Sequence, residues 1–358
     1  MKILEVIPSL ETGGAQKLIE YFVPYLMMGN EVAILVFKKS GSEIEKRIEG
    51  MGITIHSMEI GLRSPFAIKK MRPYIQWADV VHAHLFPSHY YLVIANQGIG
   101  KPIVFTEHST HNKRREKKYF KIFEKFVYRH LNKVACISVA TKENLLNWLD
   151  ETQESYKFEI IINGVDLATF QNLSRSKPES LFGKRGKAII MVSRFTPSKD
   201  HATAVRALKF IPSPDVFLVF VGEGETLTEI KNIVKQEKVE NRVIFLGNRS
   251  DIPILLKSSF IGLQSSNWEG FGLTVIEEMA AGLPVIVSNV VGVKDIVDGA
   301  GLLFEKGNHL DLASQINYLI KNKDFYEQVK ERCIKRADEY SIKKTADRYL
   351  EIFNQLIQ

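Results

Sequence analysis

The sequence predicts an α/β protein built as two doubly wound parallel sheets. Three observations carry this. Short Val/Ile-rich runs alternate with longer stretches at helical period. The apolar runs are unbroken rather than alternating, as strands covered on both faces require. A chain of 358 residues also exceeds what one core comfortably holds, so two domains are expected.

The elements follow in order. In the first half the expected strands are KILEVIP (2–8), EVAILVF (31–37), ITIHSM (53–58), DVVHAH (79–84), PIVFTE (102–107) and KVACIS (133–138). The second half offers AIIMVS (188–193), VFLVFVG (216–222), RVIFLG (242–247), FIGLQS (260–265) and PVIVS (284–288). AQKLIEYFVPYLMM and KENLLNWLDE carry helical periodicity between them. The alternation pauses at QNLSRSKPESLFGKRGK, residues 171–187, a polar stretch with Pro and Gly. It reads as the linker between a first domain, 1–170, and a second, 171–341. From about Asp311 onward only helices are expected.

Composition narrows the class. The longest apolar runs are strand-length and too short to span a bilayer. MKILEVIP carries one lysine before the chain turns polar, which is not a signal-peptide pattern. Cys136 and Cys333 match no metal spacing and read as free thiols in a reducing cytoplasm. Residues 112–133 hold nine Lys or Arg against two Glu, a net +7 that equals the formal charge of the whole chain.

Ligands of doubly wound sheets sit at the carboxyl ends of strands, so polar and glycine residues there are the candidates. NWEGFGLTVIEEMAAG (267–282) reads as a loop opening a helix. A glycine loop entering a helix offers unpaired N–H groups beside a positive dipole end, an anion site. Glu277, one to two turns into that helix, suits a ribose diol, since a carboxylate accepts two adjacent hydroxyls. Glu269 lies where a group attached to the phosphate would sit. VSRFTPSKD places Arg194 at a strand end and Lys199 at the next helix start, a fork and a point charge for a pyrophosphate. VFVGEGETL ends a strand in Gly222, Glu223 and Gly224. Against these stand ordinary readings: surface glutamates at a helix start, solvated cations and a tight turn.

The first domain has its own glycine pair, Gly13 and Gly14, opening the first helix. It is not a G-x-G-x-x-G, and no acidic residue ends the following strand, which argues against a nicotinamide enzyme. Histidines gather at strand ends: His82 and His84 in DVVHAH, then Glu107, His108 and His111 in VFTEHSTH. H-x-H on a strand puts both rings on one face, but no carboxylate or cysteine pattern completes a metal site, and none is expected. His108 is the candidate for substrate contact.

Together these segments resemble the retaining glycosyltransferases of family 4, which have the GT-B fold. EGFGLTVIE, Glu269 to Glu277, matches that family's E-x7-E motif; Arg194 with Lys199 matches its diphosphate site. INGVD (162–166) matches its interdomain segment, and Gly13 with Gly14 its N-terminal glycine loop. The resemblance implies two Rossmann-like domains facing a deep cleft, with helix 342–358 crossing back onto the first. It implies a nucleotide-sugar donor in the second domain, UDP before GDP, and the acceptor in the first. Donor contacts would come from Gly13, Gly14, Arg194, Lys199, Gly222, Gly270, Phe271, Gly272, Leu273 and Glu277. Glu269, His108, Arg194 and Lys199 would serve the transfer. No metal or cofactor is implied, because the two cations would stabilise the departing diphosphate. Many relatives carry Asp directly after the histidine; this chain has Ser109.

KKYFKIFEKFVYRHL sets Tyr119, Phe120, Phe123, Phe126 and Val127 at helical spacing among lysines. Such a helix suits an anionic membrane surface, and no nucleic-acid motif accompanies it. The expectation is a peripheral enzyme on the cytoplasmic face of the cell membrane, acting on a lipid-linked or glycan acceptor in surface-polysaccharide synthesis. The rivals are a nucleotide-sugar 2-epimerase of the same architecture and a non-catalytic nucleotide-sugar-binding protein.

Overall fold

The computed structural model describes residues 1–11, 13–109, 113–117, 119–152 and 156–358, the side chains of Lys113 and Glu116 excepted. The chain divides into two compact units, Met1–Gly164 with Ile342–Gln358, and Val165–Ser341. The division falls within INGVD, ahead of the polar stretch at 171–187.

The first unit is built on β1 (Lys2–Ile7), β2 (Glu31–Val36), β3 (Thr54–Ser57), β4 (Val80–His84), β5 (Ile103–Glu107), β6 (Lys133–Cys136) and β7 (Phe158–Ile160). They form one parallel sheet in the order β3-β2-β1-β4-β5-β6-β7. The order reverses between β1 and β4, the point where such sheets open a crevice. The closing helix Ile342–Ile357 packs on the helix Gly14–Leu26 of this unit. It buries Tyr349 and Phe353 completely.

The second unit holds β8 (Lys187–Val192), β9 (Val216–Val221), β10 (Val243–Phe245), β11 (Ile261–Gln264), β12 (Val285–Ser288) and β13 (Leu302–Phe304). Its order, β10-β9-β8-β11-β12-β13, repeats the same reversal between β8 and β11. Every residue of VFLVFV in β9 is buried, as a strand covered on both faces must be.

Two strands have no counterpart in the sequence reading. β7 and β13 are three-residue edge strands whose exposure varies along their length. An edge strand half open to solvent lacks the apolar run that marks an interior one. Both cysteines are buried and free. Among the described residues no helix is long and apolar enough to cross a membrane.

Candidate active site

In the second unit the loops after β8 and β11 are tied together. Asn267 donates its backbone N–H to the Ser198 carbonyl at 2.7 Å and its side-chain amide to Pro197 at 2.8 Å. Ser265 Oγ donates to the Asp200 carbonyl at 2.9 Å. These bonds bring two residues singled out in sequence into contact: Lys199 Nζ donates to Glu269 Oε1. Ser266 Oγ donates to the same carboxylate oxygen at 2.8 Å. Glu269 is thus fixed by a cation and a hydroxyl. Arg194, at the head of the same loop as Lys199, is exposed.

The glycines have distinct reasons. Gly222 adopts φ 134°, and a Cβ there would lie 2.2 Å from the Ser193 carbonyl oxygen. The turn after β9 therefore presses directly on the residue before Arg194, which only glycine permits. Gly272 takes φ 94° as N-cap of the helix Leu273–Ala280, and no side chain caps that helix. The Val275 amide bonds back to the Gly272 carbonyl at 3.0 Å, and among the described residues those of Leu273 and Thr274 remain for an anion. Between them, Phe271 turns its ring inward, 7% exposed, against Tyr340. Only its backbone, and that of Gly270, could serve a ligand. Leu273 opens the helix half-buried. Glu277, within it, is buried. Gly13 is different: its φ of 178° is open to any residue, and an added Cβ would meet only the movable end of Gln16. Gly14 begins the helix Gly14–Leu26 on an exposed turn.

The first unit holds the histidines. His82 and His84 on β4 face Glu5 on β1, with Glu5 and His82 in register. His84 Nε2 lies 2.8 Å and His82 Nδ1 3.0 Å from Glu5 Oε2. His82 Nε2 is 2.7 Å from Thr106 Oγ1, which is 2.7 Å from the Tyr349 hydroxyl. His84 Nδ1 is 3.0 Å from His108 Nε2. Burial pushes the Glu5 carboxyl up, but the two imidazoles outweigh it and hold it down to about 2. Burial, reinforced by His82 and opposed by Glu5, lowers His84 to about 4. Burial, then its histidine neighbours, lowers His108 well below the usual range.

This cluster corrects the reading that no carboxylate accompanies H-x-H. Glu5 does, from a strand 77 residues earlier. Among the described residues, Glu5, His82 and His84 are the group whose donor atoms converge within metal-binding reach, all inside 4.8 Å. All three side chains are fully buried, and each of those donor atoms is engaged in a hydrogen bond.

Two family descriptions match the chain: glycosyltransferase family 4 over residues 12–169 and glycosyl transferases group 1 over residues 174–338. The chain belongs to glycosyltransferase family 4. An Escherichia coli relative is 32% identical over 69% of this chain: UDP-Gal:alpha-D-GlcNAc-diphosphoundecaprenol alpha-1,3-galactosyltransferase. A Campylobacter jejuni relative is 26% identical over 96% of this chain and 98% of its own: N-acetylgalactosamine-N,N'-diacetylbacillosaminyl-diphospho-undecaprenol 4-alpha-N-acetylgalactosaminyltransferase. The alignments with the E. coli protein and with Bacillus anthracis N-acetyl-alpha-D-glucosaminyl L-malate synthase span 66% and 60% of those proteins, under two thirds of each. Among solved structures, Anabaena HepE in complex with UDP-glucose is 23% identical with a TM-score of 0.86, covering 99% of this chain and all of that one. A Rickettsia africae glycosyltransferase is 23% identical with a TM-score of 0.83, covering 100% and 98%. These likenesses show the GT-B fold.

In this family 4 chain several site residues escaped sequence reasoning. Glu5, Ser266 and Asn267 act through contacts made only on folding. Gly292, at φ 101°, backs onto the Glu269 carbonyl, and a Cβ there would lie 2.4 Å from that oxygen. His201 stacks on Phe195 at 4.0 Å and meets Ser193 Oγ at 3.0 Å, beneath the Arg194 loop. The glycine of VVGV and the histidine of SKDH were the available signals.

The basic stretch also reads differently once folded. Arg115 turns inward to Glu107 at 2.6 Å and Glu124 at 3.2 Å. Glu124 is fully buried and also accepts from Trp148 Nε1 at 2.6 Å. Lys121 and Lys125 share Asp150, each at 2.7 Å. On the helix Phe120–Arg129, Ile122 is 80% exposed and Phe126 46%, while Val127 and Tyr128 are buried. Tyr119, at its N-cap, is also exposed. Tyr119, Ile122 and Phe126 thus face solvent rather than the core, while Phe123 sets its ring edge-on against the buried Tyr90 at 5.1 Å. His111, Asn112 and Lys118 lie outside the described residues.

Proposed function

We propose that this chain transfers a sugar from a nucleotide-sugar, a UDP-sugar before a GDP-sugar, to a lipid-linked or glycan acceptor with retention of anomeric configuration. The process served is cell-surface polysaccharide synthesis. The observation that carries the reading is the Lys199–Glu269 pair beside Arg194 and the glycine-capped helix, all at the carboxyl ends of β8 and β11. Those groups match what a diphosphate bearing a sugar needs: cations for the phosphates, amides at a helix start and a carboxylate toward the sugar.

In this reading Glu277 accepts from the ribose hydroxyls. The amides of Gly270, Phe271, Gly272 and Leu273 meet the donor phosphate and sugar, with Gly222 shaping the turn beside them. Arg194 and Lys199 stabilise the diphosphate as it departs, and no metal takes part. Gly13 and Gly14 let backbone approach the donor, and His108 contacts its sugar. The acceptor oxygen bonds the anomeric carbon on the face the diphosphate leaves, and the acceptor proton passes to the leaving phosphate oxygen. The E. coli and C. jejuni relatives are named for undecaprenol-diphosphate acceptors, which supports a polyprenyl-diphosphate glycan here. The exposed Tyr119, Ile122 and Phe126 among lysines support peripheral contact with an anionic membrane from the cytoplasmic side.

The test is incubation with a panel of UDP- and GDP-sugars, with and without polyprenyl-diphosphate-linked acceptors, and assignment of the product anomer by NMR. Donor consumption that requires acceptor, leaves activity intact in EDTA and gives an axial linkage from an axial donor is expected. Consumption without acceptor would indicate an epimerase instead. Tight donor binding with no turnover on any acceptor would indicate a binding protein.

A further inference from the structure

Glu5 and His84 have no place in the mechanism above, yet they occupy the switch point of the first sheet. A carboxylate fully removed from water is costly unless its oxygens are satisfied. Glu5 meets that condition through two imidazoles, and this fixes where their protons lie. An ionised carboxylate only accepts, so each ring nitrogen facing it must carry hydrogen. His84 therefore holds its proton on Nε2, 2.8 Å from Glu5. Its Nδ1 is then a lone pair, and the nitrogen 3.0 Å away, His108 Nε2, must donate to it. The same logic runs the other way. His82 donates from Nδ1 to Glu5, accepts at Nε2 from Thr106 Oγ1, and Thr106 accepts from the Tyr349 hydroxyl.

We infer that Glu5, acting through His84, sets the tautomer and orientation of His108, so that this ring presents an unprotonated Nδ1 to the substrate. Glu5 and His84 are positioning residues; neither touches substrate. The low proton affinity of His84 and His108 agrees with a relay of neutral rings. Three features single out this arrangement. Glu5 and His84 are fully buried, so solvent cannot exchange with their hydrogen bonds. His108 is only half-buried, and its Nδ1 has no hydrogen-bond partner among the described residues. The rings of His84 and His108 are held 5.3 Å apart, and Phe22 packs on His82 and His84 from the helix Gly14–Leu26. What His108 gains is a hydrogen-bond acceptor of defined direction, suited to a sugar hydroxyl and unsuited to a phosphate oxygen. The inference rests on the assignment of His108 to the donor sugar, and its test separates the two.

Protein labelled with 15N at histidine, studied near pH 7.5 by long-range 1H–15N correlation, reports each tautomer directly. Single replacements assign the rings. The expected spectrum has His84 and His108 protonated on Nε2 and His82 on Nδ1. Glu5→Gln offers one donor and one acceptor in place of two acceptors, and should change the tautomer of at least one ring. His108 found with its proton on Nδ1, or all three tautomers unchanged in E5Q, would overturn the relay. Turnover then tests its use. His84→Leu, which removes the acceptor facing His108, should lower kcat about tenfold with donor KM near wild type. His84→Asn, whose amide oxygen can accept from His108, should recover most of that loss. Far-UV circular dichroism and UDP binding in the second unit report folding. H84L unfolded or aggregated leaves E5Q and the wild-type spectrum to decide. The expected tautomers together with unchanged kcat in H84L would uphold the relay and reject the contact of His108 with the sugar.

Discussion

Lys199 donates to the same Glu269 oxygen that accepts from Ser266. The cation proposed for the leaving diphosphate is therefore neutralised by the carboxylate proposed for the sugar. Both side chains are largely shielded from solvent, so the pair is worth more than a surface bridge and holds each group in place. Under the proposed function, diphosphate binding competes with it. Glu269→Gln should thus bind UDP as tightly as wild type or several-fold tighter, while kcat with a competent donor falls about 100-fold. Calorimetry and initial rates read the two effects separately. Weaker UDP binding in E269Q would mean that the pair is not in competition with the diphosphate.

Lys199→Ala should do the reverse at the binding step. It removes a point charge from the phosphate and leaves Glu269 with one hydroxyl partner. UDP affinity should drop about tenfold, and more than the affinity for uridine, which carries no phosphate. Equal losses for UDP and uridine would place Lys199 away from the phosphates.

Glu277 is buried within the helix whose start the glycines shape. Glu277→Gln should raise donor KM about tenfold and leave kcat within about threefold, since a ribose contact is the same in ground and transition states. A 2′-deoxyribose donor should bind wild type and E277Q alike. A fall in kcat matching that of E269Q would erase the division of labour between the two carboxylates.

Gly222→Ala tests the turn beside Arg194. The residue would need both a positive φ and a Cβ placed 2.2 Å from a main-chain oxygen, so backbone must move. A loss of about 2 kcal/mol or more in urea unfolding is expected, with UDP binding weakened as the Ser193–Arg194 backbone shifts. A variant of wild-type stability would show that the turn tolerates a side chain.

Two buried groups shape the pH response of the second unit. Burial, aided by Lys199, lowers His201 to about 3, so below the ordinary value of 6.5 the unfolded chain binds a proton the folded one refuses. Stability from this group is lost as pH falls from 6.5 toward 3. Glu278 runs the opposite way. Burial raises its carboxyl well above 4.5, and among the described residues only Gln264, at 3.0 Å, hydrogen-bonds it. Here the folded state keeps a proton the unfolded state releases, so stability is lost as pH rises above 4.5. Just above 4.5 the two slopes therefore oppose each other. His201→Gln should remove the acid-side decline and Glu278→Gln the loss that sets in as pH rises above 4.5, read from urea midpoints across pH. Identical pH profiles in all three proteins would deny both groups a role.

The proposed membrane contact rests on side chains that folding leaves outside. Tyr119, Ile122 and Phe126 changed together to Ser should abolish flotation with anionic liposomes. Lys121→Ala should weaken it less, because Asp150 already holds that lysine. Full flotation of the triple variant would place the contact elsewhere.

The sequence by itself determined the two parallel sheets, because strands buried on both faces must be apolar without interruption and such runs are visible. It also determined the donor-side candidates. Lys199 with Arg194, and Glu269 with Glu277, each lie within one strand–loop–helix unit, where local spacing dictates geometry. The tertiary structure alone decided how distant segments meet. Register between β1 and β4 sets Glu5 against His82, across 77 residues of chain. Packing turned Arg115 inward to Glu107 and Glu124, and left Ile122 and Phe126 in solvent. A charge or a hydrophobic side chain carries no mark of its partner. Which carboxylate it meets, or whether it meets water, depends on the faces that folding brings together.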